Sequence, residues 1–125
     1  MAIQHINGQW GEDEAVAYLL QAGFEVLAHN WRYKRAEIDI IAREKGVLVF
    51  VEVKVRASTF FGRPEEMVNA QKKKLLIDAA MAYMRSTGYE WEIRFDIVAI
   101  IGEPGKPYEI NLWRDAFFPD LNYGY

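Results

Sequence analysis

The segment from Ala36 to Arg56 constrains this chain more than any other. Ala-Glu-Ile-Asp-Ile-Ile-Ala is followed by the short loop Arg43-Glu44-Lys45-Gly46. Val-Leu-Val-Phe-Val-Glu-Val-Lys-Val-Arg comes next. β-branched and apolar residues at this density specify strands, and Gly46 suits the positive φ of a hairpin turn. Strands are expected over 36–42 and 47–56. A four-residue loop pairs Ala42 with Val47 and sets Asp39 opposite Phe50, leaving Glu52 a diagonal neighbour of Asp39, about 7–8 Å away. On the later strand every odd position from 47 to 55 is valine, which makes that face core. The even positions run Leu48, Phe50, Glu52, Lys54, Arg56. Such a face starts in the core and opens into a cleft.

A chain of 125 residues, half of them hydrophobic, forms one domain, 1–125, with a substantial core. It has no cysteine, so disulfide and zinc-thiolate chemistry are excluded. No apolar run is long enough to span a bilayer, and the first residues lack the pattern of a signal peptide. A cytoplasmic protein with no membrane partner is the expectation. The net charge is −3, but unevenly spread. Residues 1–30 carry four acids and no Lys or Arg. Residues 31–85 carry twelve bases against seven acids, and residues 86–125 three against seven. The basic middle third can draw in phosphates despite the negative total.

Around the hairpin, a helix is expected over 8–23, with Gly23 as its C-cap. Its apolar stripe holds Ala15, Val16, Leu19 and Leu20, together with Glu12; Glu14 points elsewhere. A carboxylate among core residues needs a partner or a metal, unless it stays wet at the positive helix end. A strand over 24–32 leads into the basic, aromatic bend Asn30-Trp31-Arg32-Tyr33-Lys34-Arg35. It suits phosphates and base faces, or equally a solvated loop anchored by one buried Trp. A second helix over 64–85 carries Lys72 in line with Val68, Leu75, Leu76, Ala79 and Tyr83. A fourth strand over 91–101, reached through that helix, runs parallel to the third. A short fifth strand covers 108–113. The aromatic tail with Phe117, Phe118, Tyr123 and Tyr125 could cap the core or support a homodimer. His5 and His29 have no partner at metal or triad spacing.

Two carboxylates and a lysine on adjacent strands suit metal-dependent phosphodiester hydrolysis. That chemistry needs an activated water, neutralised charge on phosphorus and a stabilised leaving oxygen. Asp39, Glu52 and the Val53 carbonyl are the expected metal ligands, with Glu12 holding the ion's water or a second ion. Lys54 would orient or deprotonate water or stabilise the pentavalent phosphate, and Lys72 would contact phosphate. The competing reading of Asp39, Glu52 and Lys54 is a structural salt-bridge triad. Two carboxylates against one lysine leave that triad with excess negative charge.

Asp…Glu-X-Lys across a hairpin, after a helix bearing a glutamate, resembles the PD-(D/E)XK, or restriction-endonuclease-like, superfamily. The order helix, three strands, helix, strand is similar to archaeal Holliday-junction resolvases. Gly11-Glu12, Asn30-Trp31-Arg32, Glu37-Ile38-Asp39, Val49-Phe50-Val51-Glu52-Val53-Lys54, Phe61-Gly62, Lys72, Arg94-Phe95-Asp96 and Ala116-Phe117 resemble the bacterial YraN family. The match spans nearly the whole chain. Ala36 stands where that family usually has Gly, Val55 where it often has Thr, and Ile38 where the superfamily label has Pro; none is a catalytic position. The resemblance implies an α/β, restriction-endonuclease-like fold with a mixed central sheet of about five strands flanked by helices. It implies a catalytic set of Glu12, Asp39, Glu52, Lys54 and Lys72 working with Mg2+ or Mn2+. The expected activity is endonucleolytic cleavage of DNA, branched or structured DNA included. The alternative is an inactive nucleic-acid-binding or assembly module on the same fold. Arg32, Lys34, Arg35, Arg56, Arg63 and Lys73 are the expected nucleic-acid contacts.

Overall fold

The computed structural model describes residues 2–57 and 66–117, with side chains from Gly8 onward. Its elements are α1 (Ala2–Gln21), β1 (Glu25–Tyr33), β2 (Ala36–Glu44), β3 (Val47–Arg56), α2 (Ala70–Thr87), β4 (Ile93–Ile101) and β5 (Glu109–Phe117). The five strands form one sheet in the order β1-β2-β3-β4-β5. All neighbours are antiparallel except β3 and β4, which run parallel across the α2 connection. This is the expected mixed sheet, an α/β architecture of the restriction-endonuclease-like kind.

The two helices cover opposite faces of the sheet. Ala15 and Leu19 of α1 pack with Ile40, Ala42, Val49, Val51, Val98 and Ile100. Leu76, Ile77, Ala79 and Ala80 of α2 pack with Ile41, Leu48, Phe50, Phe95 and Ile97. The alternation along β3 therefore feeds both layers: its valines face α1, and Leu48 and Phe50 face α2. A parallel pair in the middle of a sheet is buried on both sides, which is why β3 and β4 read as nearly unbroken apolar runs. Gly11 sits where α1 crosses β3. A Cβ there would lie 2.3 Å from Val55 Cγ2, so only glycine permits this approach.

Several boundaries differ from expectation. Helix α1 starts at Ala2 rather than Gly8, because a single glycine costs a helix only about 1 kcal/mol. Leu20, expected on its apolar stripe, is 55% exposed; the buried line is Gly11, Ala15, Leu19. Helix α2 starts at Ala70, not Pro64, because the Asn69 side chain caps it by accepting from the Lys72 amide at 2.8 Å. The β2–β3 connection is a two-residue turn, Lys45-Gly46, with both residues at positive φ. Glu44 thus pairs with Val47, and Ile41, not Asp39, lies opposite Phe50. Strand β5 runs on to Phe117, four residues further than expected. The expectations placed on Phe60, Phe61, Arg63, Pro64 and the tail beyond Phe117, including its use for self-association, concern residues outside those described.

Candidate active site

The shorter hairpin changes the site. The β2–β3 ladder ends at Ile40↔Val51, and the next residue outward on each strand is Asp39 and Glu52. The two carboxylates therefore follow the last cross-strand pair directly instead of meeting on a diagonal. Asp39 is the one residue of β2 without a partner in either the β1 or the β3 ladder. Alternation also breaks there. Ile40 packs with the α1 layer, whereas Ile38, two residues away, packs with the α2 layer. On β1, Asn30 adopts φ 54°, and a bulge lies between Val26 and Ala28. Irregular pairing of this kind re-aims side chains and ends ladders. Here Asp39 stays within β2 but has no cross-strand pair, and its Oδ2 accepts the Val53 amide at 2.8 Å. That amide belongs to the residue between Glu52 and Lys54, so one hydrogen bond ties the two strands' functional residues together.

Glu52 is 4% exposed. Its Oε2 lies 3.3 Å from Lys72 Nζ and 3.8 Å from Lys54 Nζ, while its Oε1 is buried with no hydrogen-bond partner among the described residues. Lys72 comes from α2, so the helix expected to wall the cleft does reach it. From the opposite layer, Glu12 of α1 is half-buried and also has an Oε1 without a hydrogen-bond partner. Burial raises the Glu12 carboxyl, and Asn30, which hydrogen-bonds it, acts in the other direction. Asp39 is pushed up to about 8, by burial first, then by the nearby Glu52 charge, with a smaller contribution from Glu12. Three carboxyl groups thus crowd a partly dry site, and one oxygen each of Glu12 and Glu52 finds no hydrogen-bond partner among the described residues.

Orphaned buried oxygens are costly unless something else occupies them. The donor set is all oxygen, which matches a hard divalent cation. Among the described residues no group of three or more His, Asp or Glu side chains is close enough to hold a metal alone. Magnesium keeps several of its waters and is commonly held by one or two carboxylates, so the Asp39–Glu52 pair with a backbone carbonyl fits it. Glu12 belongs to the outer part of such a site.

The expected nucleic-acid contacts are spread differently. Arg32 pairs with Glu37 at 3.2 Å. Lys34 lies 5.2 Å from the centroid of the Tyr33 ring, and Lys73 lies 5.5 Å from that of Phe117. Arg56 Nη1 donates to the Val55 carbonyl at 3.1 Å. Trp31 is half-buried against Tyr83 and Tyr33, so it serves the core. His29 is exposed and acts on Glu12 only through its charge; the His5 side chain is outside those described.

A second charged cluster escaped sequence reasoning. Arg94 donates to both oxygens of Asp96, at 2.8 and 2.9 Å, and to Glu44 at 2.5 Å. Arg114 grips Glu44 through two hydrogen bonds, at 2.9 and 2.6 Å, and the Asp115 amide donates to Asp96 at 2.9 Å. Asp96 is fully buried. Arg114 and Arg94 hold the Glu44 carboxyl down to about 2. Every carboxylate here has its cation, unlike those around Asp39, so this cluster reads as a clamp joining β2, β4 and β5. The Arg94-Phe95-Asp96 run was visible, but nothing local pointed to Glu44, 50 residues away.

Comparison with known proteins gives the chain a family. The profile described as uncharacterised protein family UPF0102 matches residues 11–100. UPF0102 protein FP2501 of Flavobacterium psychrophilum is 42% identical over 118 residues, covering 94% of this chain and 98% of that protein. A UPF0102 protein of Bacteroides thetaiotaomicron is 42% identical over 121 residues, covering 97% and 99%. UPF0102 protein RHA1_ro06551 of Rhodococcus jostii is 42% identical over 111 residues, covering 88% and 94%. The matched segment holds Glu12, Asp39, Glu52, Lys54 and Lys72, and on these grounds the chain belongs to the uncharacterised UPF0102 family, the same family as YraN.

Proposed function

We propose that this protein is a metal-dependent phosphodiesterase acting on DNA, with branched or structured DNA as its substrate class. The observation that carries this reading is the convergence at the end of the β2–β3 ladder. Asp39 and Glu52 adjoin, one buried oxygen each of Glu12 and Glu52 has no hydrogen-bond partner among the described residues, and Lys54 and Lys72 both stand within 4 Å of Glu52. A structural salt bridge would not leave acceptors orphaned in this way.

Asp39 and Glu52, with the Val53 carbonyl, would hold Mg2+ or Mn2+, and Glu12 would orient its water shell. Such an ion would supply charge neutralisation at phosphorus and a lower cost of ionising water. The remaining work falls to side chains of this chain. Hydrolysis forms one P–O bond from water and breaks another to a sugar oxygen, so a proton must leave the water and one must reach the leaving group. Lys54, on the same strand face as Glu52, stands where it can hold the attacking water or the developing phosphorane charge. Lys72 currently neutralises Glu52 and can turn to phosphate once a cation takes over that role. Among the described residues no helix is long and apolar enough to cross a membrane. Access to cytoplasmic DNA goes with this reading.

The test is incubation of wild type and Glu52→Ala with branched and linear DNA in Mg2+ or Mn2+. Cleavage by wild type alone supports the proposal, and identical behaviour on every substrate sinks it. A second reading follows from the absence of a three-ligand group among the described residues. In that reading the domain binds nucleic acid without cutting it. It predicts salt-sensitive binding that survives Asp39→Ala and no cleavage in either metal.

A further inference from the structure

Besides the carboxylate site, the α2 face holds a groove of about 670 Å3 between the β1–β2 turn and α2. Tyr33, Ala36, Leu75 and Met81 make its walls apolar, and Lys34, Arg35 and Arg85 rim it. Among the described residues, Asp78 is the one carboxylate along it. The three rim cations are exposed and form no ion pair among the described residues. The groove also adjoins the active site from two directions. Ala36 is three residues from Asp39 on β2, about 10 Å along the strand. On α2, Lys72 lies one turn before Leu75, and Arg85 lies about 20 Å further along the helix than Lys72. An occupant of the groove therefore passes the site lysine as it leaves.

The geometry points to a single-stranded nucleic-acid arm as that occupant. Its bases would sit against Tyr33, Leu75 and Met81, and its phosphates against Lys34, Arg35 and Arg85. A ligand must offer flat apolar surface and repeated negative charge to match walls and rim together. Unpaired nucleotides offer both, whereas a duplex keeps its base faces stacked inside. The groove's volume is that of a small-ligand site, the scale of a few unpaired nucleotides and far below that of a duplex. This inference rests on the DNA reading above and narrows it: the preferred substrate carries an unpaired arm beside the bond to be cut.

Binding without metal separates the two claims. The anisotropy of a short fluorescein-labelled oligothymidylate and of a blunt duplex is measured in EDTA over a range of salt. Wild type is compared with the doubly substituted Lys34→Ala, Arg85→Ala protein and with Lys106→Ala as a distant control. Loss of two phosphate contacts lowers the single-strand salt slope by about 1.4. Affinity for the oligonucleotide falls about tenfold or more, and duplex affinity changes less than about twofold. Equal thermal midpoints confirm that the fold is intact, as expected for exposed positions. Unchanged single-strand affinity, or duplex affinity falling in step, overturns the groove assignment and leaves the DNA reading standing. If wild type binds neither probe, both fall.

Discussion

Replacing Asp39 by Asn should stabilise the metal-free protein increasingly as pH rises above about 4. The amide keeps the shape of the side chain and can still accept the Val53 amide hydrogen. What it removes is a negative charge in a partly dry site beside Glu52. Asp39 titrates at about 8 against 3.8 for an ordinary aspartate, because burial and the Glu52 charge oppose its ionisation. The folded protein therefore binds more protons here than the unfolded chain between those values. Stability from this group is complete below about pH 4 and is lost as pH rises towards 8. At 1.36 kcal/mol per pH unit the loss reaches about 6 kcal/mol as an upper bound. Partial exposure of Asp39 and its coupling to Glu52 bring the expected loss to about 2 kcal/mol. Urea unfolding in EDTA at pH 5 and pH 8.5 reads this directly. Wild type should lose about 2 kcal/mol relative to Asp39→Asn between the two. Adding Mg2+ at pH 8.5 should restore wild type more than the variant. Parallel pH profiles for the two proteins would refute the argument that Asp39 is held uncharged by its surroundings.

Other perturbations probe separate parts of the structure. Gly11→Ala places a methyl 2.3 Å from Val55 Cγ2 and should cost about 1–3 kcal/mol in chemical denaturation. Arg94→Ala leaves Asp96 buried and partly uncompensated, at a cost of about 3–5 kcal/mol, visible as an earlier urea midpoint. Glu44, held at about 2 instead of 4.5, stabilises the fold above about pH 4.5. That contribution is lost on acidification towards pH 2, so Glu44→Gln should flatten the acid limb of the stability profile. If the domain cleaves DNA, Lys54→Met should lower the rate about a hundredfold or more while moving the thermal midpoint little.

Much of this protein was legible from residue pattern. Valines at every odd position from 47 to 55 marked β3 and its α1-facing side. Glu12 and Lys72, each in line with apolar neighbours, identified the faces from which the helices address the site. The parallel β3–β4 pair followed from the handedness of a strand–helix–strand crossover. Pattern reading failed where a local choice shifts everything after it. One loop-length decision at Lys45-Gly46 moved the hairpin register by two residues. The expected alternation of Phe24, Val26 and Ala28 broke at a bulge that turns Leu27 and Ala28 alike towards α2. Arg94, Asp96, Glu44 and Arg114 belong to three different strands, so their partnership depends on which strands neighbour one another.

By itself, the sequence determined which residue types were available: two carboxylates and a lysine in and beside the Ala36–Arg56 hairpin, flanked by one charged residue on each helix. Strand periodicity and helical stripes depend on neighbours a few residues apart, so they can be read locally. The tertiary structure alone decided that Asp39 pairs in neither ladder, that Glu52 is buried between two lysines, and that burial and the Glu52 charge push the Asp39 carboxyl up. Those properties come from burial, and from where a twisted sheet stops pairing. Both depend on packing from elements far apart in the chain, which local pattern does not contain.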